Sequence, residues 1–324
     1  MLSVKHLIDT YSLTADDITQ ILDTAKSFDP IVNAHTIKKV PALRGRTIVN
    51  LFLEPSTRTL KSFELAEKRL SADSISMGGS TSSVVKGESL ADTIQTIDAM
   101  NVDMFVVRAK LAGTPQVITQ NTDAIVINGG DGKHQHPTQA MLDLYTIREH
   151  FGHLDGLKVA IVGDLAHSRV CGSLAPALKT MGADVTLVAP PTFQVSDPSW
   201  FGCTQTNHLD DVIEDMDVVY MLRVQLERME GAAIPSRREY NRLYGLSLER
   251  EARMKENAII CHPGPMNAAW RSTPRSPTAP VLGSSTRSMR AFSPVWPRCT
   301  CCWEEKSNGL SDQSCPCRGS AGWA

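Results

Sequence analysis

Apolar and polar positions alternate along this chain with two different periods. In TADDITQILDTAKSF (14–28), Ile18, Ile21, Leu22, Ala25 and Phe28 recur at helical spacing. Thr14 is placed to cap that helix, and acidic residues fill its first turn. Beyond it come apolar runs of strand length: TIVNLFLE, MFVVR, AIVING, LKVAIVGD, DVTLVA, DVVYMLR and AIICHP, separated by stretches of helical period. Runs that are apolar on both faces and divided by helices predict parallel sheets covered on each side, the α/β doubly wound class. The segment HPTQAMLDLYTIREHFGHLDG (136–156) predicts a helix ending in a Gly-rich turn. It reads as a link over 138–149 between one domain at 1–137 and another at 150–267.

The polar residues gather where strands end. Glu54 to Thr59, Arg108, Asn128 to His136, Asp164 to Arg169, Arg223, and His262 to Pro265 all follow apolar runs. In open parallel sheets ligands bind outside the carboxyl ends of the strands, so this spacing predicts one site rich in arginine and hydroxyl groups. Composition narrows its ligands. A net charge of −2 gives no electrostatic case for nucleic acid or an anionic membrane surface. The N-terminal residues lack the pattern of a signal peptide and no apolar run reaches membrane-spanning length, so the expected compartment is the cytoplasm.

Five motifs carry candidate chemistry. In LFLEPSTRTLKSFELAEKRL (51–70) a strand turns at Pro55-Ser56 into a helix with Phe63, Ala66 and Leu70 on one face. Free N–H groups at that helix start, the hydroxyls of Ser56, Thr57 and Thr59, and the guanidinium of Arg58 suit a phosphate. The plain alternative is a capped helix with a surface arginine. In GGSTSSVVKGESLADT (78–93), Ser82 and Lys86 sit in a small-residue loop, either a surface loop or an arm carrying one cation to an anion. In DGKHQHPTQAMLDLYT (131–146), His134 and His136 invite a metal reading, but further ligands at useful spacing are lacking. His136 and Gln139 instead suit a carbonyl or amide group at a helix start. KVAIVGDLAHSRV (158–170) has one glycine where a dinucleotide fingerprint needs three, and places Arg169 one turn into the next helix. In VVYMLRVQLERM (218–229), Arg223 and Gln225 lie two apart past a strand, suited to a carboxylate or to a surface salt bridge.

These motifs, in this order and closed by His262-Pro263-Gly264-Pro265, resemble the carbamoyltransferase family over residues 5–267, and within it the aspartate branch. S-T-R-T followed by H-P-T-Q is common to that family. K-G-E-S-L-A-D-T around Lys86 and R-V-Q-L-E-R resemble the aspartate rather than the ornithine enzymes. The resemblance implies two doubly wound domains, carbamoyl phosphate and L-aspartate as substrates, no metal or organic cofactor, and a homotrimer with shared active sites. It implies a carbamoyl phosphate site of Ser56, Thr57, Arg58, Thr59, Arg108, His136, Gln139, Gly264 and Pro265, with Ser82 and Lys86 reaching a neighbouring subunit's site. Arg169, Arg223 and Gln225, with Lys86, match the residues that hold aspartate. Arg58, Thr59, Lys86, Arg108 and His136 are the expected catalytic set. A regulatory chain or a dihydroorotase is an implied partner class in such families.

The pattern breaks after Asn267. Residues 268–324 hold five of the eight cysteines and four of the five tryptophans, with seven Lys or Arg against three Asp or Glu. No amphipathic period runs through them, and CTCCW and CPC have irregular spacing for zinc or disulfides. Ala-Ala-Trp-Arg-Ser-Thr-Pro can be encoded by GCG GCA TGG AGA TCG ACC CCG. A restored leading C turns this into CGC GGC ATG GAG ATC GAC CCC, Arg-Gly-Met-Glu-Ile-Asp-Pro, which is how the resembled family continues. The expectation is therefore a frameshifted, unpacked tail that lacks the family's closing helix. Several buried side chains at ~1.5–3 kcal/mol each would be lost from a margin of ~5–15 kcal/mol. The competing expectation is then a weakly active or non-catalytic homologue that still forms trimers.

Overall fold

In a computed structural model, residues 2–33, 39–78, 89–225, 236–264 and 281–283 are described. The first helix, α1 (Ala15–Ser27), begins as its sequence predicts. Thr14 accepts from the Asp17 N–H, and the Asp17 carboxylate accepts from the Thr14 N–H, so two orphan donors are satisfied reciprocally. A short helix, α2 (Asp29–Asn33), follows.

The first sheet contains β1 (Thr47–Phe52), β2 (Asp73–Gly78), β3 (Met104–Ala109) and β4 (Ile125–Asp131). Its order is β2-β1-β3-β4 and every pairing is parallel. Successive side chains leave opposite faces, and the core divides accordingly. Ile48, Phe52, Met104, Val106, Ile125 and Ile127 join the larger core. Val49, Leu51, Phe105, Val107 and Val126 join a second cluster with Ile94 and Ile97 of α4 (Leu90–Asp98) and Ile118 of α5 (Thr114–Thr119). The opposite face packs on α3 (Thr57–Arg69), whose Phe63 and Ala66 are buried as their spacing predicts.

Next comes α6 (Pro137–Phe151), a helix buried at every position from Pro137 to Ile147. It starts with Pro137 at its first position and stops at Gly152, whose φ of 81° lets its N–H reach back to Arg148 O. The second sheet follows, with β5 (Lys158–Val162), β6 (Asp184–Val188), β7 (Thr204–Thr206), β8 (Val218–Met221), β9 (Ile259–His262) and β10 (Val281–Gly283). Its order is β10-β9-β8-β5-β6-β7, again all parallel. Helices α7 (Arg169–Thr180), α8 (Arg237–Tyr244) and α9 (Leu248–Arg253) complete the described chain, and α6 packs against α7.

All seven apolar runs are strands. The strands that their pattern does not announce are β2, β7 and β10. Each is an edge strand, and β2 and β7 expose much of their length, so no buried face imposes an apolar pattern on them. Of residues 268–324 only β10 is described, paired with β9. The rest of the expected tail lies outside the described residues. No helix among the described residues is long and apolar enough to cross a membrane.

Candidate active site

Because both sheets are parallel, the segments after their strands emerge on one edge of each. After β1 the chain turns through Glu54, Pro55 and Ser56 into α3. Ser56 is the N-cap, yet its hydroxyl makes no capping bond. The N–H groups of the first turn and the hydroxyls of Ser56 and Thr57 are thus available to an anion. The Arg58 guanidinium has no hydrogen bond or ion pair among the described residues. Partial burial and the neighbouring charge of Arg223 both lower its pKa from the ordinary arginine value. Arg58, at the start of a first-sheet helix, thus lies within range of the charge of Arg223, just past a second-sheet strand.

Arg108, near the end of β3, is held from three sides. Its Nε donates to Glu54 Oε1 at 2.8 Å, and its Nη1 donates to Gly129 O at 2.9 Å and Thr59 Oγ1 at 3.2 Å. The same Nη1 lies 3.4 Å from His136 Nε2. The Glu54 oxygen that receives Arg108 also receives Arg169 Nη2 at 2.8 Å. One carboxylate therefore ties arginines that follow strands of different sheets, and the pair of cations keeps a surplus positive charge. Gly130 makes this possible. Its φ is 116°, and a Cβ there would lie 3.1 Å from both Arg108 Nη1 and Arg169 Cζ.

The segment before α6 places His136. The buried Asp131 carboxylate accepts from the N–H groups of Gly113 and Gln135 and from Asn128 Nδ2. His134 pairs with that carboxylate at 3.0 Å. His136 is the N-cap of α6, and its N–H donates to Ser173 Oγ of α7 at 2.7 Å. Its Nδ1 lies 3.2 Å from Thr138 Oγ1, leaving Nε2 toward Arg108. One turn on, Gln139 Nε2 donates to Asp143 Oδ1 at 3.1 Å.

The second sheet supplies the remaining groups. Gly163 ends β5 at φ 134°, where a Cβ would lie 3.0 Å from the Leu222 Cβ. This lone glycine serves the close approach of two strand ends rather than a cofactor. Arg169 is the first residue of α7, not one turn inside it, because Ser168 is the N-cap and accepts from the Cys171 N–H. Arg223 Nη2 donates to Gln225 Oε1 at 2.8 Å, and the Gln225 N–H donates to Asp164 Oδ2 at 3.0 Å. After β9, the His262 Nδ1 accepts from the Gly264 N–H at 2.8 Å, and Gly264 takes a φ of 62°.

The structure thus brings together Thr59, Arg108 and His136, joins Arg169 to them through Glu54, and sets Arg58 near Arg223. Ser82, Lys86 and Pro265 lie outside the described residues. Sequence reasoning missed Glu54, Ser173, Asp143 and Tyr220, whose hydroxyl donates to Asp143 Oδ2 at 2.6 Å. For Glu54 there was a signal, a carboxylate at a strand end among arginines; the others carry none.

Two family models match the chain: the carbamoyl-P binding domain of aspartate/ornithine carbamoyltransferase over residues 5–149, and its Asp/Orn binding domain over residues 155–272. The chain is 52% identical over 264 residues to an aspartate carbamoyltransferase catalytic subunit of Thermobifida fusca, covering 81% of this chain and 84% of that one. It is 53% identical over 265 residues to that of Acidothermus cellulolyticus, covering 82% and 81%. Among solved structures, aspartate transcarbamoylase of Trypanosoma cruzi in complex with N-(phosphonacetyl)-L-aspartic acid superposes with a TM-score of 0.80 at 30% identity, covering 93% of this chain and 96% of that one. The catalytic subunit of the M. jannaschii enzyme gives 0.77 at 32% identity, covering 95% and 100%. With both domain models matched along the sequence, the chain belongs to the aspartate/ornithine carbamoyltransferase family, among its aspartate carbamoyltransferase catalytic chains.

Proposed function

We propose that the chain transfers the carbamoyl group of carbamoyl phosphate to the α-amino group of L-aspartate, giving N-carbamoyl-L-aspartate and phosphate in pyrimidine biosynthesis. The observation that carries this reading is the convergence of Arg108 Nη1, Thr59 Oγ1 and His136 Nε2 at one strand edge, beside an open helix N-terminus bearing Arg58.

Ser56, Thr57, Arg58 and Thr59 bind the phosphate through hydroxyls, first-turn N–H groups and a planar guanidinium. Arg108 and His136 donate to the carbamoyl oxygen, and Gln139 accepts from the carbamoyl amide. The carboxylates of aspartate go to Arg169, Arg223 and Gln225. Arg169 has N–H groups beyond those used on Glu54 and Gly132 O. The aspartate amine attacks the carbamoyl carbon, and the C=O electrons move onto an oxygen already faced by donors. The C–N bond stays, the C–O bond to phosphate breaks, and the departing phosphate takes the amine proton. Catalysis rests on placement and on fixed dipoles and charges aimed at the developing oxyanion.

Ser82 and Lys86 act in a neighbouring subunit's site, so the assembly is a homotrimer. Gly264 and Pro265 offer backbone carbonyls to the carbamoyl and amino groups. The domains divide at 1–137, 138–149 and 150–267, and the protein is cytoplasmic. A regulatory chain or a dihydroorotase is its partner class. The test is a carbamoyl-transfer assay with aspartate and with ornithine, on the chain as written and on one with the reading frame restored after Asn267. Turnover of aspartate alone is expected, stronger in the restored chain. Carbamoylation of ornithine instead, or no turnover by either chain, overturns the reading.

A further inference from the structure

Asp143 is a fully buried carboxylate that the reaction does not use. It sits on α6 one turn beyond Gln139, so the two side chains share a helix face. Each of its oxygens has one donor: Gln139 Nε2 at 3.1 Å on Oδ1, and the Tyr220 hydroxyl at 2.6 Å on Oδ2. Tyr220 is wholly buried in β8 of the second sheet, three residues before Arg223. The thiols of Cys171 on α7 and Cys261 on β9 also act on its phenol. In its ionised form Asp143 only accepts hydrogen bonds. It therefore fixes which end of the Gln139 amide faces it, drawing Nε2 in and turning Oε1 away. That Oε1 has no partner among the described residues.

We propose that Asp143, held by Tyr220, is a positioning residue that sets the Gln139 amide with its carbonyl oxygen toward the substrate's carbamoyl –NH2. This rests on the reading of Gln139 given above. The pairing is chemically directed: a carbamoyl amide donates, so the site needs an acceptor there, and a flipped Gln139 would present donors to donors. Burial pushes the Asp143 pKa up to about 7, against the pull of the Tyr220 and Gln139 hydrogen bonds. Without the Tyr220 hydroxyl the acid would take up its proton more readily, and its O–H could donate to Gln139 Oε1 and turn the amide over.

The test compares Asp143→Asn, Gln139→Ala and the double variant in the full-length chain. In Asp143→Asn the KM for carbamoyl phosphate is expected to rise about 10-fold, the scale of one misdirected buried hydrogen bond. Inhibition by inorganic phosphate, which does not touch Gln139, should stay within about 2-fold. On the Gln139→Ala background, Asp143→Asn should add no more than about 2-fold, since it acts only through Gln139. Should Asp143→Asn not fold, Tyr220→Phe carries the test by pH. The acid limb of kcat/KM moves to higher pH in Tyr220→Phe and stays in place when Gln139 is already Ala. An unchanged KM, a parallel loss of phosphate binding, additive losses in the double variant, or an unmoved acid limb overturns the positioning role. Gln139→Ala with the parent KM overturns the reading of Gln139 itself, and this inference with it.

Discussion

Arg58 and Arg108 both lie at the carboxyl edge of the first sheet and are held in opposite ways. Arg108 is largely buried and locked by Glu54, Gly129 O and Thr59. Arg58 is exposed, lies on the first turn of α3, and feels the like charge of Arg223 instead of a carboxylate. Under the proposed function the contrast separates two tasks. A group that polarises a carbonyl must already be in place when charge develops, because reorganisation would cost what the interaction yields. A group that grips a phosphate can sit uncompensated, since the arriving anion supplies the missing charge.

The largest expected effect is on the locked arginine. Arg108→Ala should lower kcat/KM by about 10³-fold, the range for losing a preorganised donor. It should also lower the melting temperature, because it breaks a partly buried pair. Arg58→Ala should cost about 10²-fold in kcat/KM at near-parental stability, within ~0.5 kcal/mol. Steady-state kinetics beside thermal melts check both, and a greater loss of stability in Arg58→Ala would break the comparison. Glu54→Gln tests the anchor itself. It keeps the shape but removes the charge shared by Arg108 and Arg169, so about 10-fold in kcat is expected, with a loss of ~1–3 kcal/mol in denaturant unfolding.

The smallest effect belongs to the other end of α3. Glu67 is buried there, where Asn50 Nδ2 and the Ser74 hydroxyl both donate to Oε2 and Oε1 has no partner. Burial raises its pKa to about 7, against the pull of the Ser74 and Asn50 hydrogen bonds. The folded state thus holds this proton more tightly than the unfolded chain, whose value is near ~4.5. The contribution is full below that pH, declines as pH rises through 7, and is flat beyond. Glu67→Gln should gain ~1–3 kcal/mol relative to the parent between pH 4.5 and pH 8, read from denaturant melts at several pH values. No such gain would mean that α3 handles charge alike at both ends.

Much of the fold was legible because burial on both faces of a parallel strand writes itself as an apolar run. The run TIVNLFLE became β1, and DVVYMLR became β8. DSISMG did not announce β2, since an edge strand pairs by backbone and needs no such run. The candidate site was legible where its residues form a local cluster, as in Ser56 to Thr59. It was illegible where the arrangement lies in a pairing. Nothing near Tyr220 marks it as the partner of Asp143, and nothing near Ser173 marks it as the holder of His136. Such pairs are chosen by the packing of α6 and α7 between two sheets, which periodicity alone does not specify. The reading of residues 268–324 rests on composition and coding alone.

The bond from the His136 N–H to Ser173 Oγ bears on how such chains can be recombined. A chimera that joined the front half of this chain to the back half of a distant relative at the 152–156 turn would inherit an intact histidine. Whether that histidine stayed aimed would depend on what the relative carries at the position of Ser173, and whether Arg108 and its carboxylate kept their companion would depend on the position of Arg169. The two halves are thus poor interchangeable parts: their junction in the gene is simple, but their junction in space runs through the candidate active site.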